Sequence, residues 1–209
     1  MNCPLCNMPE EKTFAAGGRN YHVCGRCGLL YMDISDHLDA DEEKKRYSFH
    51  QNSIDDEGYV AFLGRVIEPS MQYLNAGMNG LDYGCGPNPV LAKLVEDKGL
   101  KCDYYDPFFF PECKADAKYD FIFATECFEH FFNPRKEVEK ICAMLNSNGI
   151  LGLMTELMGD STDFATWYYK NDPTHVCFYS NETINYICQT YNFKQLYNDN
   201  HRVIILRKS

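Results

Sequence analysis

Four cysteines at the amino end carry the most specific chemistry in the chain. Cys3 and Cys6, then Cys24 and Cys27, form two Cys-x2-Cys pairs with seventeen residues between them, a spacing that belongs to zinc ribbons. Each pair can present two thiolates from one tight turn, and four thiolates close a tetrahedron with no position left for water. An ion held this way, expected to be Zn2+, is structural rather than catalytic. Pro4, Gly25 and Gly28 preset or permit the bends such knuckles need, and the ion would fold a segment, residues 1–38, that has no core of its own. His22 is read as a non-ligand because four cysteines suffice. The bland alternative is a set of unmetallated surface thiols. A redox role is disfavoured, since neither pair follows a strand in a βαβ context.

A second constellation begins at Gly80 and runs Gly-Leu-Asp-Tyr-Gly-Cys-Gly-Pro-Asn-Pro. A short apolar strand ends here, Gly84 and Gly86 follow two apart, and Val90, Leu91, Leu94 and Val95 open an amphipathic helix, so the pattern is strand, tight turn, helix. Without a Cβ, each glycine lets the backbone bend and approach a ligand. Asp106 stands twenty positions past Gly86, at the end of the strand-like run Lys101 to Tyr105, where a carboxylate can accept hydrogen bonds from ribose hydroxyls. A glycine turn with no ligand is the plain alternative. A nicotinamide dinucleotide site needs a third glycine at position 89, which is Pro89. Pro89 instead suits a first helical turn, with Asn88 as its cap.

Asp82-Tyr83-Gly84-Cys85-Gly86, an acidic residue and a spacer before Gly-x-Gly, resembles the first motif of the class I S-adenosylmethionine-dependent methyltransferases. That resemblance implies a Rossmann-like α/β fold: a mostly parallel sheet closed by a terminal antiparallel hairpin. It implies S-adenosylmethionine as cofactor, with Asp82, Gly84, Cys85, Gly86, Asp106 and Pro107 on the cofactor side. Thr125 and Glu126 follow the strand Tyr119 to Ala124 at its carboxyl end, where open α/β sheets bind ligands. In the resembled family this position faces the methionine portion of the cofactor and the acceptor. Glu129-His130 matches a Glu-His pair of many small-molecule members, and Asp172-Pro173-Thr174-His175 resembles an element found in several of them. Glu126, His130 and His175 are therefore the candidate catalytic residues. His175 could take a proton from an acceptor hydroxyl near neutral pH, and an interior or loop-stapling histidine is the alternative for both imidazoles.

The elements that position these residues follow from pattern. Asp41 to Arg46 reads as a solvated helix face. Tyr59, Phe62, Leu63, Val66 and Ile67 mark one apolar helical face, ended or kinked by Pro69. In the resembled family a helix before the first strand covers the cofactor site, so residues 39–78 are expected to form a helical lid or linker, with Tyr47 and His50 as its polar-tipped candidates, and residues 79–209 the catalytic domain. Only thirteen residues separate Asp106 from Asp120, too few for a helix, a strand and a second helix. The family's usual third strand is thus expected to be missing or minimal, which leaves the adenine contacts unassigned. Phe108 to Phe110 either offer a stacking face or plug the sheet edge. Asn133-Pro134 opens a helix closed by Asn146 to Gly149, Ile150 to Thr155 reads as a strand, and Ser180 to Tyr191 as a capped helix. Phe193 to Tyr197 and Val203 to Leu206 then form an antiparallel hairpin.

A chain of 209 residues with 45% apolar content supports one substantial domain and a small appendage. The net charge of -10 disfavours broad contact with nucleic acid or anionic membrane. Eleven cysteines in a reducing compartment would include seven buried as small hydrophobes. With neither a basic region nor an apolar core at Met1 to Cys6, the expected location is cytoplasmic. The reading is methyl transfer to a small-molecule acceptor. Its rivals are an RNA methyltransferase that uses the zinc segment for binding and a catalytically silent zinc-organised scaffold.

Overall fold

The computed structural model describes residues 1–49, 52–112 and 117–209. His50 therefore lies outside the described residues.

The amino-terminal segment folds as a hairpin, β1 (Lys12–Ala16) with β2 (Arg19–Val23), followed by β3 (Leu30–Met32). The two cysteine knuckles are built alike. Cys3 N donates to Met8 O and Asn7 N to Cys3 O; Cys24 N donates to Leu29 O and Gly28 N to Cys24 O. Each knuckle turns through a left-handed residue just past its second cysteine, Asn7 (φ 61°) in one and Gly28 (φ 68°) in the other. Gly25 serves otherwise: a Cβ there would meet the Glu11 carboxylate at 1.8 Å.

Asp39 caps α1 (Ala40–Tyr47) in a reciprocal capping box with Glu42, and Asp56 caps α2 (Glu57–Ser70). Most of Asp41 to Arg46 is solvated as expected, but Glu43 is buried, because the third residue of this run turns inward. Pro69 sits one residue from the end of α2, and a 3-10 turn at Met71–Tyr73 follows.

The central sheet contains β4 (Asn79–Tyr83), β5 (Lys101–Tyr105), β6 (Tyr119–Thr125), β7 (Leu145–Met154), β9 (Phe193–Asn198) and β10 (Val203–Lys208). Their order is β5-β4-β6-β7-β10-β9, parallel from β5 through β7, with β10 antiparallel to both β7 and β9. The terminal hairpin is thus present, and β5 is the outer strand among the described residues. Past it, Asp106 and Phe110 exchange two backbone hydrogen bonds, so the chain turns back at once. Strand β7 starts earlier than its apolar run suggests: α4 (Pro134–Met144) stops at Met144, and the polar residues 146–149 continue the strand rather than closing the helix.

Alternation along the strands builds two cores. Ile122, Ala124, Ile204 and Leu206 face one layer with α4 and α5 (Asn181–Tyr191); Phe121, Phe123, Val203 and Ile205 face the other, under α2 and α3 (Val90–Asp97). The first layer runs on without a break into Leu29, Leu30, Tyr31 and the cysteine knuckles. A two-residue strand, β8 (Cys177–Phe178), makes the junction by pairing with β3, so the amino-terminal sheet has the order β1-β2-β3-β8. Of the singly placed cysteines, Cys85, Cys102, Cys127 and Cys177 are buried, Cys142 and Cys188 half-buried. No described helix is long and apolar enough to cross a membrane.

Candidate functional site

A crevice of about 540 Å³ opens over the carboxyl ends of β4, β5 and β6, within the usual size of small-ligand sites. Asp82, Gly84, Cys85, Gly86, Asp106, Pro107, Thr125, Glu126, His130 and His175 all line it. Every crevice residue singled out from the sequence therefore meets in one cavity, and the four knuckle cysteines meet in a separate cluster.

The glycine turn is locked to the end of β5. Gly84 N and Cys85 N both donate to Tyr105 O, at 2.8 and 3.1 Å, and Gly86 N donates to Asp106 Oδ2 at 3.0 Å. Asp106 Oδ1 accepts from the amides of Phe108 and Phe109. One carboxylate thus fixes the turn and the loop beyond β5 together. The two glycines differ in use. A Cβ at Gly84 would strike Cys127 Cβ at 2.7 Å, whereas the space above Gly86 (φ 67°) is open, so a ligand can lie against its backbone. Helix α3 begins at Val90 with Pro89 at its cap position and no side-chain cap. Asn88 is not the cap, because its amide reaches across to Asn52 O at 3.0 Å.

Asp82 forms the floor. Its Oδ2 accepts from Ala92 N at 3.3 Å, while Oδ1 is buried with no partner. Burial, and secondarily the nearby Asp106 carboxylate, push its pKa up to about 7. An acceptor oxygen left without a donor beside a cavity calls for a ligand N–H or O–H.

The opposite end is made of side chains holding one another. Glu129, fully buried, accepts from Thr155 Oγ1 and Tyr169 OH, each at 2.7 Å. His130 Nδ1 lies 3.0 Å from Thr174 O and His175 Nδ1 2.6 Å from Tyr169 O. A carbonyl only accepts, so both Nδ1 atoms carry a proton, and in the neutral form of either ring the lone pair is on Nε2. Burial lowers the His130 pKa and keeps that ring neutral.

Glu126 adopts a left-handed backbone (φ 48°) where β6 ends. Its Oε2 accepts from Arg202 Nη1 at 2.7 Å, and Arg202 also pairs with Glu156. Burial, with Glu129 adding to it, raises the Glu126 pKa against the pull of Arg202. Asp199 Oδ1 accepts from the amides of His201, Arg202 and Val203 and so fixes the hairpin turn that delivers the guanidinium.

Helix α1 closes over this end. Tyr47 stacks edge-on against His130 and donates to Glu43, and Arg46 makes a bidentate pair with Asp172 at 2.8 and 2.9 Å. Burial works to raise the Asp172 pKa, but the Arg46 guanidinium and the Thr174 amide and hydroxyl hold it well below the ordinary range. Phe108 lies against Tyr47 across the mouth, while Phe110 packs on Tyr104 at the sheet edge. The aromatic run thus plugs the sheet edge through Phe110 and packs on α1 through Phe108.

Arg202, Glu156, Thr155 and Glu43 were not identified from sequence. Each sits alone in an otherwise ordinary strand, turn or helix face, and no spacing links them.

In the other cluster the ligand atoms of Cys3, Cys6, Cys24 and Cys27 lie within 4.8 Å of one another, with Sγ–Sγ distances of 3.5 Å for Cys3–Cys27 and 3.3 Å for Cys6–Cys24. A tetrahedral ion with thiolates at ~2.3 Å spaces its sulfurs roughly 3.8 Å apart, so the donor set and its size fit. His22 stands apart from it, with its ring nitrogens on Thr13 and Asp33.

No curated protein matches this chain in sequence. Among solved structures it is similar to the N-methyltransferase NodS of Bradyrhizobium japonicum, determined with S-adenosyl-L-homocysteine: TM-score 0.54, 14% identity, 80% of this chain and 97% of that one. A protein of Pyrococcus horikoshii gives TM-score 0.52 at 11% identity over 79% and 99%. An O-methyltransferase family protein of Burkholderia thailandensis gives 0.50 at 11% over 80% and 63%. At these identities the likeness is one of fold. The family model described as a methyltransferase domain matches residues 56–198, from the start of α2 to the end of β9. The chain therefore belongs to the methyltransferase-domain family, built on the class I S-adenosylmethionine-dependent methyltransferase fold.

Proposed function

We propose that this protein transfers a methyl group from S-adenosylmethionine to a small-molecule acceptor. The observation that carries the reading is the joining of two differently built ends in one crevice: the glycine turn with Asp82 and Asp106, and the pair His130 and His175. Asp106 would hold the ribose, the Gly86 backbone would lie along the cofactor, and the unpartnered oxygen of Asp82 would receive its ammonium group. When bound, the cofactor supplies a methyl already activated on sulfonium: the carbon–sulfur bond breaks as the acceptor bond forms, and the electron pair stays on sulfur. The protein's remaining task is alignment. Thr125 and Glu126 border the middle of the crevice, and His175, with His130 behind it, orients the acceptor and draws on its proton.

The acidic balance of the chain favours a metabolite over RNA. The cysteine cluster takes one Zn2+ per chain, a closed structural site. It steadies the acceptor end through β8, which leads directly out of His175.

Calorimetry tests the reading. S-adenosylmethionine is expected to bind, and Asp106→Ala to weaken it at least tenfold, or about 1.4 kcal/mol; unchanged affinity removes the ribose assignment. Incubation with labelled cofactor and separate metabolite and RNA fractions identifies the acceptor class. Label in neither fraction would leave a zinc-organised scaffold.

A further inference from the structure

The acceptor end has an excess of acceptor atoms. One ligating atom each from Glu129, His130 and His175 lies within 4.8 Å of the other two. Both Nδ1 protons are committed to backbone carbonyls, which leaves each Nε2 as the atom able to ligate when its ring is neutral. His130 Nε2 stands 4.0 Å from Glu129 Oε1, too far for a hydrogen bond. Three acceptors gathered this closely, one of them a fully buried carboxylate and the other two half-buried, are costly unless a cation lies among them.

Each of the three is also oriented from behind. A backbone carbonyl fixes each imidazole, and the hydroxyls of Thr155 and Tyr169 fix the carboxylate, one on each oxygen. Outer contacts of this kind are what set a ligating histidine's tautomer and a ligating carboxylate's angle. Charge points the same way. Arg202 pairs with Glu126 and Glu156 but, among the described residues, not with Glu129, so the charge of Glu129 is left for a bound cation to balance.

We propose that Glu129, His130 and His175 bind a divalent first-row transition-metal ion, distinct from the ion of the four-cysteine cluster. Two imidazoles and one carboxylate suit manganese, iron(II), cobalt or zinc rather than calcium or magnesium. Three protein ligands leave positions open toward the crevice, which is the arrangement of a site that exchanges water for substrate. The proposal rests on the methyl-transfer reading for its use: the ion would hold the acceptor through oxygen, and two adjacent oxygens on that acceptor could chelate it. The substrate class is then a small molecule with a hydroxyl beside a second oxygen. An ion of this kind lowers the hydroxyl's pKa toward neutrality, and with His175 engaged as a ligand the released proton passes to water rather than to that imidazole.

Manganese is the probe, because it discriminates against the thiolate site. Full-length protein carrying zinc on its four cysteines is titrated with Mn2+, and the loss of the free-ion electron paramagnetic resonance signal is followed. One Mn2+ per chain is expected to bind. His175→Ala and His130→Ala should each weaken it more than tenfold, and Tyr169→Phe, which removes only an outer contact, by roughly tenfold. Zinc content and the circular dichroism spectrum of each variant check that it folds; should either alanine variant fail, Tyr169→Phe and His175→Gln decide. Manganese that stays free in the wild type, or binds equally to the folded His175 variants, overturns the proposal. S-adenosylmethionine affinity is measured separately on protein that carries zinc on its four cysteines and no manganese. Its absence would defeat the methyl-transfer reading while leaving the metal result to stand or fall alone.

Discussion

The two ends of the crevice are held by different means. At the glycine end, three consecutive amides, Gly84 to Gly86, donate into the end of β5, and one carboxylate ties that turn to the next loop. The geometry is backbone geometry, fixed by neighbouring residues of one βαβ unit. At the acceptor end hardly any of the geometry comes from a strand ladder. Glu126 to His130, Thr155 and Glu156, Tyr169 to His175 and Arg202 come from four distant segments and hold each other through side chains. What stiffens that second end is the cysteine module. Strand β8 pairs with β3, Val176 N donates to Glu129 O, Met32 N donates to Val176 O, and Arg19 donates to Lys170 O. On the proposed function, a cofactor shared by many enzymes is met by a rigid local turn, whereas the acceptor end is assembled from distant segments that lean on the cysteine module through β3 and β8.

The largest break in that comparison should come from Cys24→Ser. Zinc binding to small modules of this type is worth about 10–16 kcal/mol, so the variant should lose its zinc and residues 1–38 should open. Elemental analysis and limited proteolysis check this. Because the module props the acceptor end, acceptor turnover should collapse while cofactor affinity changes only about twofold. A fall in both by similar factors would mean that the two ends are not separately supported.

Arg202→Met comes next. It leaves Glu126 and Glu156 without their shared guanidinium, and breaking such a buried pair costs about 3–5 kcal/mol. The sign of the pH effect follows. The stranded carboxyls are neutralised by protonation, so the deficit measured by urea unfolding at neutral pH should shrink as the pH falls. A deficit that does not change with pH would assign the loss to packing against Phe62 and Tyr169, over whose rings the guanidinium lies.

This division also explains what the sequence discloses. Asp82, Gly84, Gly86 and Asp106 are legible because their roles are local: a positive φ, a close approach, a carboxylate one strand away. That no strand lies beyond β5 among the described residues agrees with the short span between Asp106 and Asp120, and both hairpin partners are legible from alternation. Arg202 is not legible, since it reads as a lone basic residue after a polar turn. Glu43 hides in a charge run whose other members are solvated. The link from β3 to β8 joins segments far apart in the chain and is carried by two residues with no pattern of their own. Asn7 shows the same limit at small scale: its left-handed turn repeats that of Gly28, but only glycine advertises the need.

Asp82 sharpens the cofactor side. Its folded-state pKa of about 7 stands above the unfolded value of 3.8. The ligand-free protein should therefore lose stability as the pH rises through that window. A bound ammonium reverses the preference, because it favours the ionised carboxyl. Cofactor affinity is expected to weaken by up to about tenfold per pH unit below 7 and to level off above it. Calorimetry across that range in wild type and Asp82→Asn measures the effect. The variant should bind weakly and without the slope, and a slope that survives the substitution would move the titrating group elsewhere.

The smallest effect on stability should belong to the clasp between Arg46 and Asp172, since an ion pair this exposed contributes about 1 kcal/mol or less. Its place gives it more weight in kinetics. It joins α1, which covers His130 through Tyr47, to the loop that carries His175, so it must part whenever the acceptor end opens. Arg46→Ala should leave thermal unfolding almost unchanged yet speed the release of a ligand bound beneath α1. The single tryptophan, Trp167, donates to Glu156 in the adjoining network and reports that release by stopped-flow fluorescence. Added salt screens the pair, so it should accelerate release from the wild type and leave Arg46→Ala unaffected. Equal salt responses in the two proteins would show that α1 is held by its packing alone.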